Sequence, residues 1–432
     1  MASTTDTSEA QPATTRGRIA WCVYDWANSA FPTVIITFVF AAYFTKVVAP
    51  DVITGTAWWG YAVSLSALAV AVLGPVFGAI ADHGGRRKPW LGIFTILCVA
   101  ATTVLWFVKP DTPGIVLFAL FAVGIANFAF EMGMVFYNAM LPALTAPDRI
   151  GRLSGWGWGL GYMGGLGCLA ISLVGLVQPD VPWFGLEKET SEHLRATALL
   201  VAIWFAVFSL PLFLWTPDRP ASGLATGEAM RRGLVELKQT LTNIRQNATI
   251  FRFLIARMIY TDGINTLFAF GGIYAAGTFG MEFDELIIFA IGMNVTAGIG
   301  AALFGHMDDA AGPKKTIIVA LLGLSVFGGA LLVVEGKPLF WVFGLPLGLF
   351  VGPAQAASRS MMARMAPPDM TNEMFGLYAL SGKATAFLGP ALLGWVTVAA
   401  DSQRAGMATV LVFLVIGLGL LLRVPETRCV ED

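Results

Sequence analysis

The chain has 432 residues, a formal net charge of −1 and 13% charged side chains, against about 25% in an ordinary soluble domain. Hydrophobic residues make up 56%, and the mean hydropathy is +0.71. This composition argues against a soluble globular protein. It excludes disorder, which needs low hydrophobicity and high charge, and a chain without basic excess is a poor nucleic-acid binder.

The few charges leave long gaps. Residues 52–81, 89–108, 112–130, 153–179, 196–217, 286–307, 316–334, 339–358 and 405–422 contain none. Each run is close to the roughly 20 residues that cross about 30 Å of hydrocarbon as a helix. A membrane barrel would instead alternate over segments of about ten residues.

Taken in chain order, a polar tail (1–18) precedes an apolar run from Ile19 past Phe44, too long for a signal-peptide core. It is read as an uncleaved first helix. Charge gaps and turn residues predict twelve spans: 19–45, 58–81, 89–108, 113–139, 152–177, 195–215, 249–279, 283–306, 315–334, 338–361, 373–399 and 405–423. Residues 19–215 form one six-helix bundle and 249–423 a second. Between them, 216–248 is a linker with Arg231, Arg232, Lys238 and Arg245, able to hold an amphipathic helix on the membrane surface. A second long connection, 178–194, carries Glu187, Lys188, Glu189, Glu192 and His193, and 424–432 is a tail. The fold class is an all-α integral membrane protein.

Lysine and arginine set the orientation. Arg16, Arg18, Arg86, Arg87, Lys88, Arg149, Arg152, Arg219, Arg231, Arg232, Lys238, Arg245, Arg252, Lys314, Lys315, Arg359, Arg364, Arg423 and Arg428 fall on one side. Lys46, Lys109, Lys188, Arg195, Lys337 and Arg404 fall on the other. The richer side is expected to be cytoplasmic, with both termini and the linker. Cys22, Cys98, Cys168 and Cys429 show no zinc or disulfide spacing and read as small hydrophobes.

The chain repeats itself. Gly78, Asp82, Gly85, Arg86 and Arg87 follow the second span, and Gly305, Asp309, Gly312, Lys314 and Lys315 follow the eighth, with the aspartates 227 residues apart. Asp25, Asn28 and Ser29 follow Tyr24 in the first span. Asp262, Asn265 and Thr266 follow Tyr260 in the seventh, 237 residues on. Two matches in order indicate two homologous halves.

The glycine–aspartate–basic loops resemble the signature of the major facilitator superfamily. That resemblance implies the twelve-helix fold, a latching role for the two loops, and a central cavity lined by spans 1, 4, 7 and 10. A narrower resemblance rests on Tyr24-Asp25-Trp26-Ala27-Asn28-Ser29-Ala30-Phe31, Tyr260-Thr261-Asp262-Gly263, Gln355-Ala356-Ala357-Ser358-Arg359-Ser360 and Phe375-Gly376-Leu377-Tyr378. These are similar to the "unknown major facilitator" branch, which includes a fungal vacuolar amino-acid effluxer linked to autophagy. Its bacterial members leave the substrate open.

Charges in hydrocarbon are costly, so they usually face a cavity and serve function. Six lie at or near membrane depth: Asp25, Glu131, Arg257, Asp262, Arg359 and Lys383. Helical spacing puts Asp25, Asn28 and Ser29 on one face, and Asn127, Glu131 and Asn138 on one stripe. Arg257 and Asp262 are five residues apart and should pair across helices rather than with each other. Arg257, Arg359 or Lys383 would hold an anionic group, and Asp25 or Asp262 a cationic one. Trp26, Asn28, Tyr260, Asn265 and Gln355 complete the candidate binding set. Glu131 is the first candidate proton carrier, with Asp25 and Asp262 behind it, since desolvation raises a carboxyl pKa. The bland alternative is that these charges are fixed interhelical pairs.

The glycine-rich fifth span, Gly155 to Gly167, is expected to pack on the eighth. Gly74-Pro75 and Gly389-Pro390 are expected kink points. There is no Walker-type segment, and the histidines, His83, His193 and His306, sit near span ends without a metal cluster. The reading is a secondary active transporter of a small polar solute, an amino acid or related zwitterion or organic anion, with a peptide or sugar still open. It works by alternating access as a proton-coupled monomer in a bacterial inner membrane, with lipids around it and no cofactor. The rivals are a transporter-like receptor or lipid scramblase, and a membrane-embedded enzyme.

Overall fold

A backbone inside hydrocarbon must satisfy its own hydrogen bonds, and this chain does so with helices throughout. The computed structural model describes residues 13–224, 226–242 and 247–425, with no strand among them. Arg245, Arg428, Cys429 and the ends of both tails lie outside the described residues.

Ten helices are long and apolar enough to cross a membrane. They are Thr15–Val48, Val52–Gly84, Lys88–Phe107, Ile115–Ala143, Pro147–Val177, Glu192–Trp215, Glu285–Ala311, Pro313–Val333, Lys337–Met365 and Gln403–Leu422. Two more make up the expected twelve. The seventh span, Ala248–Phe279, has the length, but Arg257, Asp262 and Asn265 lower its hydropathy. The eleventh is split into Thr371–Ser381 and Leu388–Ala400.

That split departs from the single helix expected over 373–399. The expected kink at Gly389-Pro390 appears one turn earlier, as an unwound stretch at 382–387. Pro390 has no N–H to give to the Ala386 carbonyl, and Gly382 and Thr385 are weak helix formers. Gly74-Pro75 behaves otherwise: Val52–Gly84 runs through it unbroken. Gly74 instead lets the backbone of Gly376 in the eleventh span come close. The first span begins earlier than expected and widens into π-turns over Phe31–Phe38 and Phe44–Val48, the first of them opened by Pro32.

The two halves meet along two matching seams, the second span on the eleventh and the fifth on the eighth and tenth. As expected, the glycines of the fifth span carry its seam: Gly155 lies against Ala301 and Gly305, and Gly159 against Gly298. The face holding both described chain ends and the linker is called the linker face. Every described hydrogen bond between the halves lies between this face and the membrane centre. Among the described residues none joins them beyond the centre, so the seal lies on the linker face.

The linker contains the helix Thr226–Thr242, as its composition suggested. Gly233, Leu237 and Thr240 are buried at helical spacing, and Gly233 abuts Ala79 and Ile80 of the second span. Arg231 and Arg232 are exposed and pair with Glu228 at 3.0 and 2.7 Å. Cys22, Cys98 and Cys168 are buried and free.

Candidate functional site

The linker-face seal is built from helix ends. Helix N-termini carry unpaired N–H groups and a partial positive charge, so a carboxylate there is stabilised. Asp82, at the end of the second span, accepts from the backbone N–H groups of Asn372 and Glu373 at 3.1 and 2.8 Å and from the Asn372 amide at 2.7 Å. It thereby caps the eleventh span of the opposite half. Asp309, at the end of the eighth span, accepts from the N–H groups of Gly151 and Arg152 at 2.7 and 3.2 Å and from Arg152 Nε at 2.7 Å. It caps the fifth span. The two repeated aspartates therefore do the same thing in opposite halves.

The other loop residues divide. Gly78 lies against the backbone of Asn372 and Glu373, and Gly305 against Gly151 and Arg152, where any side chain would hold the halves apart. Gly85 and Gly312 end their helices at φ +84° and +92°, in the region that favours glycine. Lys314 donates to the carbonyls of Leu422 and Val424 at the end of the twelfth span. Arg86 and Lys315 are exposed. Arg87 is buried, and burial together with the nearby Arg219 guanidinium draws its pKa down, opposed by Asp82 and Asp218. Three contributors had weaker sequence signals. Arg364 donates to Asp308 and Asp309, Asp218 caps the third span at Arg87 and Lys88, and Arg219 reaches the Pro368 carbonyl. Arg364 had only its place beside a span end to mark it, and Asp218 only its place after Pro217.

Deeper in, Asp25 and Arg359 form an ion pair across the halves at 2.9 Å, with side-chain exposures of 6% and 1%. Arg359 also donates to the hydroxyl and carbonyl of Ser154 at 2.9 and 2.6 Å and to Asn138 at 3.4 Å. Its guanidinium lies over Trp21, Trp158 and Tyr137, 4.9 to 5.7 Å from their ring centres. At Gly157 a Cβ would come within 2.6 Å of the Asp25 carboxylate and 2.9 Å of the guanidinium. These two candidates are thus spent on each other. Arg359 is one of a fixed interhelical pair.

At the membrane centre Lys383, in the unwound stretch, donates to Glu131 of the fourth span at 2.7 Å. This pair is only partly covered, with exposures of 29% and 19%. Arg257 donates to the Tyr378 carbonyl and the Ser381 hydroxyl, both at 2.7 Å, and stacks on the Tyr378 ring at 3.5 Å. It therefore caps the C-terminal end of Thr371–Ser381, where the helix dipole favours a cation. Its expected carboxylate partner is absent among the described residues. So is that of Asp262, whose two oxygens are buried without a hydrogen-bond partner. Its polar neighbours are the Thr385 hydroxyl and the Gly389 N–H.

The remaining candidates scatter. Trp26 stacks on Trp204 of the sixth span, away from the central groups. Asn28 reaches Met134, and Asn127 of the polar stripe donates to Ser66 within its own half. Tyr260 shares a hydrogen bond with Ser358 at 2.7 Å. Gln355 accepts from Tyr162 across the halves, and Asn265 is exposed. Ser154, Trp21 and Tyr137, which hold Arg359, were missed as site residues. The Ser154 signal was a hydroxyl inside a helix of glycines.

Two sealed helix pairs around a polar centre, in a twelve-span chain, define a transporter of the major facilitator type rather than an enzyme. The comparisons agree. The family described as "Vacuole effluxer Atg22 like" matches residues 45–432, so the chain belongs to that family. A Bacillus subtilis relative, the uncharacterised MFS-type transporter YxiO, is 27% identical, with 95% of each chain covered. Autophagy-related protein 22 of Coccidioides immitis is 24% identical over 78% of this chain and 67% of its own. Among solved structures, the proton:xylose symporter XylE superposes with a TM-score of 0.73 at 14% identity, covering 96% of both chains. FucP, in its outward conformation, gives 0.70 at 12% identity over 95% of this chain and 99% of its own.

Proposed function

We propose that the chain is a proton-coupled secondary transporter of a small zwitterion, an amino acid in the first instance, working by alternating access. The partly covered Glu131–Lys383 pair at the membrane centre carries this reading. It offers one fixed charge of each sign, as a zwitterion does. Arg257 lies beside Gly382, next to Lys383, so a second cationic group is at hand for the carboxylate. The ammonium falls to Glu131. Asp25 is neutralised by Arg359, so the proton falls to Glu131 as well. Protonation removes the charge that holds Lys383 and lets the halves part. The neighbours XylE and FucP are described as proton symporters, which supports proton coupling.

The seal on the linker face supports a rocking motion between two bundles. The basic excess on that face supports a cytoplasmic linker and termini in a bacterial inner membrane. The reading is of a monomer surrounded by lipid.

Counterflow in proteoliposomes tests the reading. Labelled amino acids should exchange with the unlabelled solute, and an imposed pH gradient should drive net uptake. Glu131→Gln should lose the gradient-driven uptake and also weaken exchange, since it removes the carboxylate that pairs the ammonium. Proton-driven uptake retained by Glu131→Gln sinks the assignment, and lipid mixing without solute flux sinks the transporter reading.

A further inference from the structure

The two halves treat their repeated aspartates differently. Asp25 in the first span is neutralised by Arg359 from the tenth. By the repeat, Asp262 in the seventh span would take its partner from the fourth. Ile115–Ala143 contains no lysine or arginine, so that partner does not exist. Asp262 is nevertheless 2% exposed, with both carboxylate oxygens free of any described hydrogen bond. An uncompensated carboxylate in hydrocarbon is among the costliest groups a membrane protein can hold.

Beside it the eleventh span is unwound. In this stretch the carbonyls of Gly382, Ala384 and Ala386 accept no described hydrogen bond, while those of Lys383 and Thr385 are taken by Ala386 and Leu388. The Thr385 hydroxyl adjoins Asp262. One fixed negative charge, a hydroxyl and orphaned carbonyls are all hard oxygen donors, the set that takes an alkali or alkaline-earth cation. The single charge matches a monovalent ion. Unwound carbonyls at the break of a transporter helix are where such an ion is commonly held. The near-complete burial of Asp262 suits a bare ion better than an ammonium carrying a solute behind it. The Gly389 N–H opposes a cation, and two cations stand near the stretch: Lys383, which donates to Glu131, and Arg257, which donates to the Tyr378 carbonyl and lies beside Gly382.

We infer that Asp262, Thr385 and the free carbonyls flanking Thr385, those of Ala384 and Ala386, form a binding site for a sodium ion, joining the seventh span to the broken eleventh. A bound ion neutralises Asp262 and fixes the unwound stretch that carries Lys383, so it sets the geometry of the central pair. Binding of the ion itself needs neither a solute nor proton transfer at Glu131.

The test is thermal unfolding of the purified full-length protein in lipid nanodiscs, with sodium chloride exchanged for potassium or choline chloride at constant ionic strength and pH. Sodium should raise the midpoint temperature in a saturable way, and potassium and choline should not. Asp262→Asn should abolish the sodium dependence while unfolding, without sodium, no earlier than the wild type, because it removes the uncompensated charge. Thr385→Val should weaken the sodium midpoint about tenfold by losing one neutral ligand. Equal responses to the three salts overturn the site. So does a sodium response that survives Asp262→Asn, or stability that follows pH alone. No solute enters the measurement, so a failed counterflow assay leaves it interpretable.

Discussion

Replacing Asp25 with Asn strands a guanidinium. In the sealed state Arg359 has 1% of its side chain exposed, and Asp25 is the one carboxylate described within its reach. Its bonds to Ser154 and Asn138 and its three aromatic neighbours remain, but none of them carries a negative charge. Breaking a buried pair by removing one partner costs about 3–5 kcal/mol, because the other charge stays desolvated. Opening the linker face would hydrate Arg359 and relieve that cost, so the penalty falls on the sealed state alone. About 5.5 kcal/mol moves a two-state equilibrium from 1:99 to 99:1, so this one substitution supplies most of a switch. Spin labels at exposed positions 86 and 315, in a background without native cysteines, read the separation of the halves. Asp25→Asn should shift the distances to longer values and lower the melting temperature. Asp25→Asn combined with Arg359→Gln should recover part of both, since no charge is left stranded. An unchanged distance distribution in the single variant would refute the reasoning.

The two loop aspartates should behave alike, since each caps a helix of the opposite half. Asp82→Ala should speed amide exchange at Asn372 and Glu373, and Asp309→Ala at Gly151 and Arg152, each weakening the seal by about 0.5–2 kcal/mol. Exchange unchanged at those amides would refute the capping role. Gly155→Val should leave the protein folded and stop solute counterflow, because its side chain would run into the Ala301 carbonyl and keep the linker face from closing. Normal turnover in this variant would show that the seam does not close during transport. Asn127→Leu should change stability by about 1 kcal/mol or less and leave counterflow intact, since its bond to Ser66 stays within one half. A loss of transport without a loss of stability would move Asn127 into the site.

Much of this was readable along the chain. Hydrocarbon excludes charge, so the gaps between charged residues marked most of the spans. The Gly78–Asp82 and Gly305–Asp309 spacings marked the two seals, because a helix cap needs a carboxylate and a close approach needs a glycine at set distances along one strand of sequence. The six intramembrane charges were visible for the same reason: each is an exception to a strict rule. What could not be read was who meets whom. Asp25 and Arg359 are 334 residues apart, and Glu131 and Lys383 are 252 apart, so each pairing exists only once twelve helices are packed. Trp26 shares the first span with Asp25 and points to the sixth, because a helix turns by roughly 100° per residue and one step changes the neighbour. The break in the eleventh span was marked only by a proline one turn away, since an unwound stretch survives where packing supplies partners for its ends. The 13% of charged residues with which the chain announces itself as a membrane protein therefore sorts finally by tertiary contact. Some cap helices and one pair is buried and spent. One pair at the centre stays partly open, and Asp262 is left without a protein partner among the described residues.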